Sequence, residues 1–240
     1  MKRVILLILA LCFLVPATYA RKVYLVAAGV SDYPGTANDL SLPAMDARAM
    51  NRLYRTNSSA ETILLTNDNA TISNIKDALR QLFRDAGKND IVVFFFSGHG
   101  YPGGFVAYDG KLKYDVIKDV FAECKCQNKM IFADACFSGD MRDKSGQRDE
   151  VVDKSKMSLM MLLSSRDDEV SYENPLYKNG FFTICLERCL RGGADTNNDR
   201  IITARELYLG VRKGVLELSD NEQHPVMWGN FSDNMPVMVW

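Results

Sequence analysis

The sequence predicts an α/β domain of three layers, with a mostly parallel sheet held between helices, on three observations. Two strand-length runs, Ile91-Val92-Val93-Phe94-Phe95-Phe96 and Met130-Ile131-Phe132-Ala133, are apolar without alternation, as strands covered on both faces are. Stretches with apolar residues at helical spacing lie between the strand-like runs, so strand and helix alternate along the chain. Both runs end abruptly in small residues around one reactive side chain: Ser97-Gly98-His99-Gly100 after the first, Asp134-Ala135-Cys136-Phe137-Ser138-Gly139 after the second. In such sheets ligands and chemistry collect outside the carboxyl ends of the strands. One strand therefore delivers an imidazole to that edge and the other a thiol.

The elements follow in order. Residues 22–30 are a compact β-type run, and residues 31–36 are turn-rich. From 42 to 54, Ala44, Met45, Ala49 and Leu53 recur at helical spacing, with Pro43 tolerated in the first turn. Residues 62–65 read as a short strand. Ile72, Ile75, Leu79 and Leu82 make one face of a helix over 71–83, ending near Gly87. After the His99 strand, residues 101–110 are glycine-rich with a β-like centre at 105–108, a hairpin; residues 114–121 are helical. Residues 140–156 carry both charge signs with almost no apolar anchor, the composition of an exposed mobile loop. A buried strand at 157–165 follows, then a helix at 180–190, a polar loop at 195–203 and a long helix at 204–218. Residues 224–228 and 236–240 read as short terminal strands.

The chain has 240 residues, with 29 Lys and Arg against 30 Asp and Glu, and is 47% apolar. That balance suits one globular domain and gives no basic face for nucleic acid or an anionic membrane. The first twenty residues are set apart. Lys2 and Arg3 precede an apolar run from 4 to 15, then Pro16 and Ala17-Thr18-Tyr19-Ala20. This is the layout of a secretory signal peptide cut after Ala20; the run falls short of the roughly 20 residues a spanning helix needs. The expected product is a single domain over 21–240, secreted or periplasmic, with no membrane attachment after cleavage.

Export bears on the cysteines. Without Cys12 there remain Cys124, Cys126, Cys136, Cys185 and Cys189. In an oxidising compartment four can pair and one stays free, and the free one is expected to be Cys136. The pairing itself is open. Cys185 and Cys189 lie one helical turn apart and read equally as small buried hydrophobes.

A thiol must lose its proton to attack a carbonyl, and a neighbouring imidazole takes it. Of the two histidines, His224 precedes Pro225 in a terminal strand and suits a structural role. His99 sits between glycines that leave its ring unobstructed. The expected pair is Cys136 as nucleophile and His99 as base, with the backbone N–H groups of Cys136 and Gly100 receiving the oxyanion. Asp134 and Ser97 each lie two residues before a member of that pair and so point to the same side of their strands.

These two motifs, in this order, resemble the histidine and cysteine motifs of caspase-like peptidases, closest to metacaspases and their bacterial relatives. The resemblance runs from the Asp46 helix to His224-Pro225-Val226-Met227-Trp228-Gly229. It implies a three-layer caspase-like fold with a mostly parallel six-stranded sheet, and a Cys–His dyad cleaving peptide bonds through an acyl-enzyme. It also implies that Asp134, Ser97 and Asp46 line the pocket for the residue before the cleaved bond, although Pro43-Ala44-Met45-Asp46 lacks the cysteine of the family's Cys-x-x-Asp segment. Family members that cut after aspartate carry an arginine after a Ser-aromatic pair; here Ser171-Tyr172 is followed by Glu173. The reversed charge leads to an expectation of cleavage after Arg or Lys, with protein or peptide substrates carrying basic residues. The loop 140–156, with Arg142, Lys144, Arg148, Lys154 and Lys156, is then a place for self-processing. The competing readings are a caspase-like binding module without turnover and a Cys–His peptidase of the legumain or gingipain kind. Oligomeric state is open.

No cofactor is required by this chemistry. Residues 195–206 nevertheless read as an EF-hand-type loop for a structural calcium ion, with Asp195, Asn197, Asp199, the Ile201 carbonyl and Glu206 as ligands and Arg200 in the usual glycine position. The same residues read as an Asx-rich turn into a helix capped by Thr203 and Glu206. The acidic calcium segment of metacaspases has no counterpart, since residues 101–113 hold only Asp109.

Overall fold

The structure, a computed structural model, describes residues 21–135, 157–165 and 178–240. The expected signal peptide, Cys136, the loop 140–156 and Glu173 lie outside the described residues. Six strands form the main sheet: β1 (Val23–Gly29), β2 (Ala60–Thr66), β3 (Ile91–Ser97), β7 (Asn128–Asp134), β8 (Leu159–Leu163) and β10 (Val226–Asn230). Their spatial order is β10-β8-β7-β3-β1-β2, parallel throughout except for β10, which runs antiparallel to β8. The chain goes from β1 outward to β2 and then returns across β1 to lay down β3. The crevice between the carboxyl ends of β1 and β3 is therefore the topological switch point, where open α/β sheets place their sites.

Side-chain alternation divides the core between two helical layers. Phe94, Phe96, Ile131 and Ala133 face α2 (Ile72–Phe83) and α3 (Tyr114–Glu123). Val93, Phe95, Met130 and Phe132 face α1 (Pro43–Arg55), α4 (Phe181–Arg188) and α5 (Ala204–Leu218). β3 is buried along its whole length, which explains its unbroken run of apolar residues; truncating one such phenylalanine to alanine costs about 3–5 kcal/mol.

The helix starts have separate causes. α1 opens on Pro43 with no cap from Leu42, and the Ser31 hydroxyl from the loop after β1 accepts the Ala44 N–H at 2.9 Å instead. Thr71 caps α2 by accepting from Asn74, and Thr203 with Glu206 forms a capping box on α5. After β3, three short strands, β4 (Gly100–Tyr101), β5 (Gly104–Ala107) and β6 (Gly110–Lys113), make a small antiparallel sheet, with the β5–β6 turn at Tyr108 and Asp109.

Four details differ from the sequence expectation. The second helix stops at Phe83 rather than near Gly87. The helix expected over 180–190 is α4, followed by a wide turn over Cys189–Gly193 that Gly192 closes at φ 104°. Residues 201–203 are not loop: β9 (Ile201–Thr203) pairs antiparallel with β11 (Pro236–Val239). The described cysteines, Cys124, Cys126, Cys185 and Cys189, are buried free thiols and not disulfides. Packing explains the last pair. A Cβ added to Gly210 would lie 2.8 Å from Cys189 Sγ, and one on Gly214 would lie 2.8 Å from Cys185 Sγ, so the sulfur of Cys185 in α4 and that of Cys189 just after it fill two glycine notches in α5. Burial pushes the Cys185 thiol up to about 12 and the Cys189 thiol up to about 11, so both stay protonated and behave as apolar groups at neutral pH.

Candidate active site

At the carboxyl end of the sheet Ser97 and Asp134 are register partners across β3 and β7, so their side chains emerge on the same face, toward α1 and α4. Asp46 on α1 meets them there. The Ser97 hydroxyl donates to Asp46 Oδ2 at 2.9 Å, while Asn179 Nδ2 and the Gly180 N–H donate to Asp46 Oδ1 at 2.8 and 3.2 Å. Asp134 Oδ2 accepts from the Thr183 hydroxyl and N–H at 2.9 and 3.3 Å, at the start of α4. Gly180 separates these carboxylates: a Cβ there would lie 2.6 Å from Asp134 Oδ2. Asp46 is 2% and Asp134 7% exposed. Burial, and then the neighbouring Asp134, hold the Asp46 carboxyl well above the usual carboxylate range, against the hydrogen bonds from Asn179, Ser97 and Gly180.

His99 stands beyond β3 on a sharp turn. Gly98 has φ 152°, open to glycine and strained for other residues, and a Cβ there would lie 2.8 Å from Tyr33 Oη. The Gly98 N–H donates to the Asp134 carbonyl at 3.2 Å, tying this turn to the end of β7. The loop after β1 supplies the rest. The His99 N–H donates to Tyr33 Oη at 3.0 Å, and His99 Nε2 lies 2.8 Å from the Asn38 carbonyl. A carbonyl only accepts, so Nε2 carries the proton and Nδ1 is left as the basic nitrogen.

Gly100 opens β4 opposite Phe105. The Val106 N–H donates to the His99 carbonyl at 2.8 Å, which makes Gly100 and Phe105 a pair without mutual hydrogen bonds and turns the Gly100 N–H away from β5.

The other strand end is braced differently. The Ser164 hydroxyl accepts the Ala135 N–H at 3.2 Å and donates to the Ala135 carbonyl at 3.3 Å, and the Ser164 N–H donates to the Ala133 carbonyl at 2.9 Å. Gln223 Nε2 holds the Ser164 carbonyl at 2.9 Å. The backbone leading into Cys136 is thus gripped on both its polar groups.

The structure therefore gathers Ser97, Asp46 and Asp134 beneath the strand ends where His99 and Gly100 stand. Tyr33, Asn38, Ser164, Asn179, Gly180 and Thr183 join them without having been singled out in the sequence. Asn38 acts through its carbonyl and Gly180 through its N–H and its lack of a side chain, so side-chain signals came only from Tyr33, Ser164, Asn179 and Thr183.

The loop 195–206 is a different arrangement. Asp195 accepts the N–H groups of Asp199 and Arg200 at 3.1 and 3.0 Å, Asn197 Oδ1 accepts that of Asp199 at 3.0 Å, and Asp199 Oδ1 accepts that of Ile201 at 2.8 Å. Glu206 accepts from Thr203 and Thr196. Arg200 takes φ 66°, the turn a glycine would make. Among the described residues no three His, Cys, Asp or Glu side chains converge as a metal site.

The caspase-domain family model matches residues 23–235 of this chain. The chain belongs to the caspase-domain family. Metacaspase-1 of Lodderomyces elongisporus and that of Candida albicans are each 33% identical to it over 99 residues, 36% of this chain and 22% of each relative. The chain thus spans about a fifth of the length of the curated relatives it matches. A crystal structure of a Geobacter sulfurreducens protein aligns with a TM-score of 0.68 at 18% identity, over 91% of this chain and 99% of that one. The crystal structure of Caspase-1 from Spodoptera frugiperda aligns with 0.66 at 15% identity, over 88% of each. This caspase domain keeps the family's central sheet, mostly parallel and six-stranded between helices, with Ser97, His99 and Asp134 at its carboxyl edge.

Proposed function

We propose that this caspase domain is a cysteine endopeptidase that cleaves peptide bonds after Arg or Lys. His99 Nδ1 takes the proton of the Cys136 thiol, and the thiolate attacks the scissile carbonyl carbon. The developing oxyanion is received by the N–H groups of Gly100 and Cys136, a donor being worth about 2.7–4 kcal/mol at this step. The tetrahedral adduct collapses as the His99 imidazolium gives its proton to the leaving amine, leaving a thioester on Cys136. His99 Nδ1 then deprotonates a water that attacks the thioester, and the acid product leaves as Cys136 regains its proton. The Asn38 carbonyl keeps Nε2 protonated throughout.

One observation carries the basic specificity: two carboxylates lie buried beneath the strand ends, and the hydrogen-bond donors to Asp46 among the described residues, Ser97, Asn179 and Gly180, are all neutral. A guanidinium or ammonium meets opposite charge there, whereas an aspartate side chain meets like charge. Glu173 adds a third acid in the sequence, and self-cleavage within 140–156 is the corresponding activation step. The first twenty residues direct export. Fluorogenic peptides with Arg, Lys or Asp before the bond, assayed with wild type and Cys136→Ala, test the reading: Arg and Lys substrates are cut and Asp substrates are not. Faster cleavage after Asp overturns the pocket assignment, and equal cleavage by Cys136→Ala overturns the nucleophile. The Cys136→Ala protein staying whole, with an N-terminus at Arg21 in the exported fraction, is the result expected for processing and export.

A further inference from the structure

The loop after β1 holds no expected catalytic group, yet both Tyr33 and Asn38 in it bond to His99. Tyr33 is 5% exposed. Its hydroxyl accepts the His99 N–H at 3.0 Å and donates to the Val106 carbonyl at 3.0 Å, so both its hydrogen-bonding roles are filled. Its ring lies 5.0 Å from the imidazole, tilted by 39°. Burial pushes the Tyr33 phenol up to about 12, although its bond from His99 opposes this, so the group remains a donor across the neutral range.

Five residues further on, the same loop presents the Asn38 carbonyl to His99 Nε2 at 2.8 Å. The loop is closed on itself and on the sheet. The Tyr33 N–H donates to Asp39 Oδ1 at 3.0 Å, the Leu40 N–H to the Ser31 carbonyl at 2.8 Å, and the Ser31 N–H to Asn67 Oδ1 at 3.0 Å. His99 is thus held twice from one segment, by its backbone N–H and by the far nitrogen of its ring. Val106 extends the hold to the hairpin whose first residue is the oxyanion donor Gly100.

We propose that Tyr33 is a positioning residue for the catalytic pair: its buried hydroxyl fixes the Gly98–His99 turn between the loop after β1 and β5, so that Asn38 reaches Nε2 and Nδ1 is presented to Cys136. The inference rests on the peptidase reading for its effect on turnover, but its effect on the thiol can be read without any substrate. The residue acts through His99 and through the hairpin that carries Gly100.

The test compares Tyr33→Phe with Tyr101→Phe. Among the described residues the Tyr101 hydroxyl has no hydrogen-bond partner, so that variant controls for losing a phenolic hydroxyl close to His99 in the chain. Tyr33→Phe is expected to lower kcat on an Arg peptide by about 10-fold or more, with KM within about twofold. The pH midpoint for alkylation of Cys136 by iodoacetamide, followed by peptide mass spectrometry, is expected to rise by about one unit as the imidazole loses its hold on the thiolate. Tyr101→Phe is expected to match wild type in both. Melting by circular dichroism is recorded for each. An unchanged alkylation midpoint in Tyr33→Phe overturns the proposal, whether or not melting temperature and turnover fall, because a structural role alone leaves the thiol's titration where it was. If wild type cuts no peptide at all, the peptidase reading fails, and the alkylation midpoint still decides the role of Tyr33.

Discussion

Two groups of carboxylates in this molecule invite comparison, and both lie near a helix start. Asp46 and Asp134 sit at 2% and 7% exposure under the strand ends, reached by hydroxyl, amide and N–H donors. Asp195, Asp199 and Glu206 line an exposed loop and cap, each accepting backbone N–H groups close by in sequence. Asp46 is held well above the ordinary carboxylate range by burial and by Asp134. Burial alone would raise Glu206, but bonds from Thr196 and Thr203 outweigh it and bring the group below that range. A count of acidic residues favours the loop. Burial and the proximity of a second acid, not number, set the strand-end pair apart, and they are the basis of the cation preference proposed for it.

The largest effect that sharpens this contrast is expected from Asp46→Asn. Removing the charge while keeping the shape should lower kcat/KM on Arg and Lys peptides by on the order of 100-fold to 1,000-fold, as truncating one partner of a buried charge pair does. Melting temperature should hold or rise, since a costly buried charge has gone. A loss of only a few-fold in steady-state assays would move the specificity away from this pair.

A second test uses pH. The folded protein raises the Asp46 carboxyl above its unfolded value, so folding favours the protonated form. The associated stability is fully present below the ordinary carboxylate range and is lost as pH rises through the raised value. Melting temperature should therefore fall across that window in wild type more than in Asp46→Asn, while a benzamidine-type inhibitor should bind more tightly as pH rises and the acid ionises. Parallel melting curves for the two proteins would remove Asp46 as the titrating group.

The smallest effect belongs to the loop. Glu206→Ala loses the capping box on α5 and should cost about 1 kcal/mol by urea unfolding, with peptidase kinetics unchanged. Calcium that stabilises wild type but not Asp195→Ala would establish the metal role for residues 195–206 and narrow the contrast between the two acid groups.

Much of this was legible in the sequence, for identifiable reasons. The central strands were plain because double-sided burial leaves no polar residue in Ile91–Ser97 apart from its last. Asp134 and Ser97 followed from the two-residue period of a strand. β9 was missed because three residues, Ile201–Thr203, carry no periodicity and are strand only through β11, more than thirty residues later. Tyr33 and Asn38 lie 66 and 61 positions from His99, and Asn38 serves through a backbone atom that any residue supplies. Such partners become visible only when the switch point brings the loop after β1 beside the end of β3.

The sulfur-in-glycine contacts between α4 and α5 have a consequence for the substrate pocket. Gly180 and Thr183, which bond Asp46 and Asp134, stand at the head of the helix whose Cys185, with Cys189 just past its end, is seated in α5. Two pegs one turn apart stop a rod from both sliding and rolling. The address of the two buried acids is therefore written partly on the far side of α4, so an engineer altering the proposed pocket would have to retune Gly210 and Gly214 as well as the acids themselves.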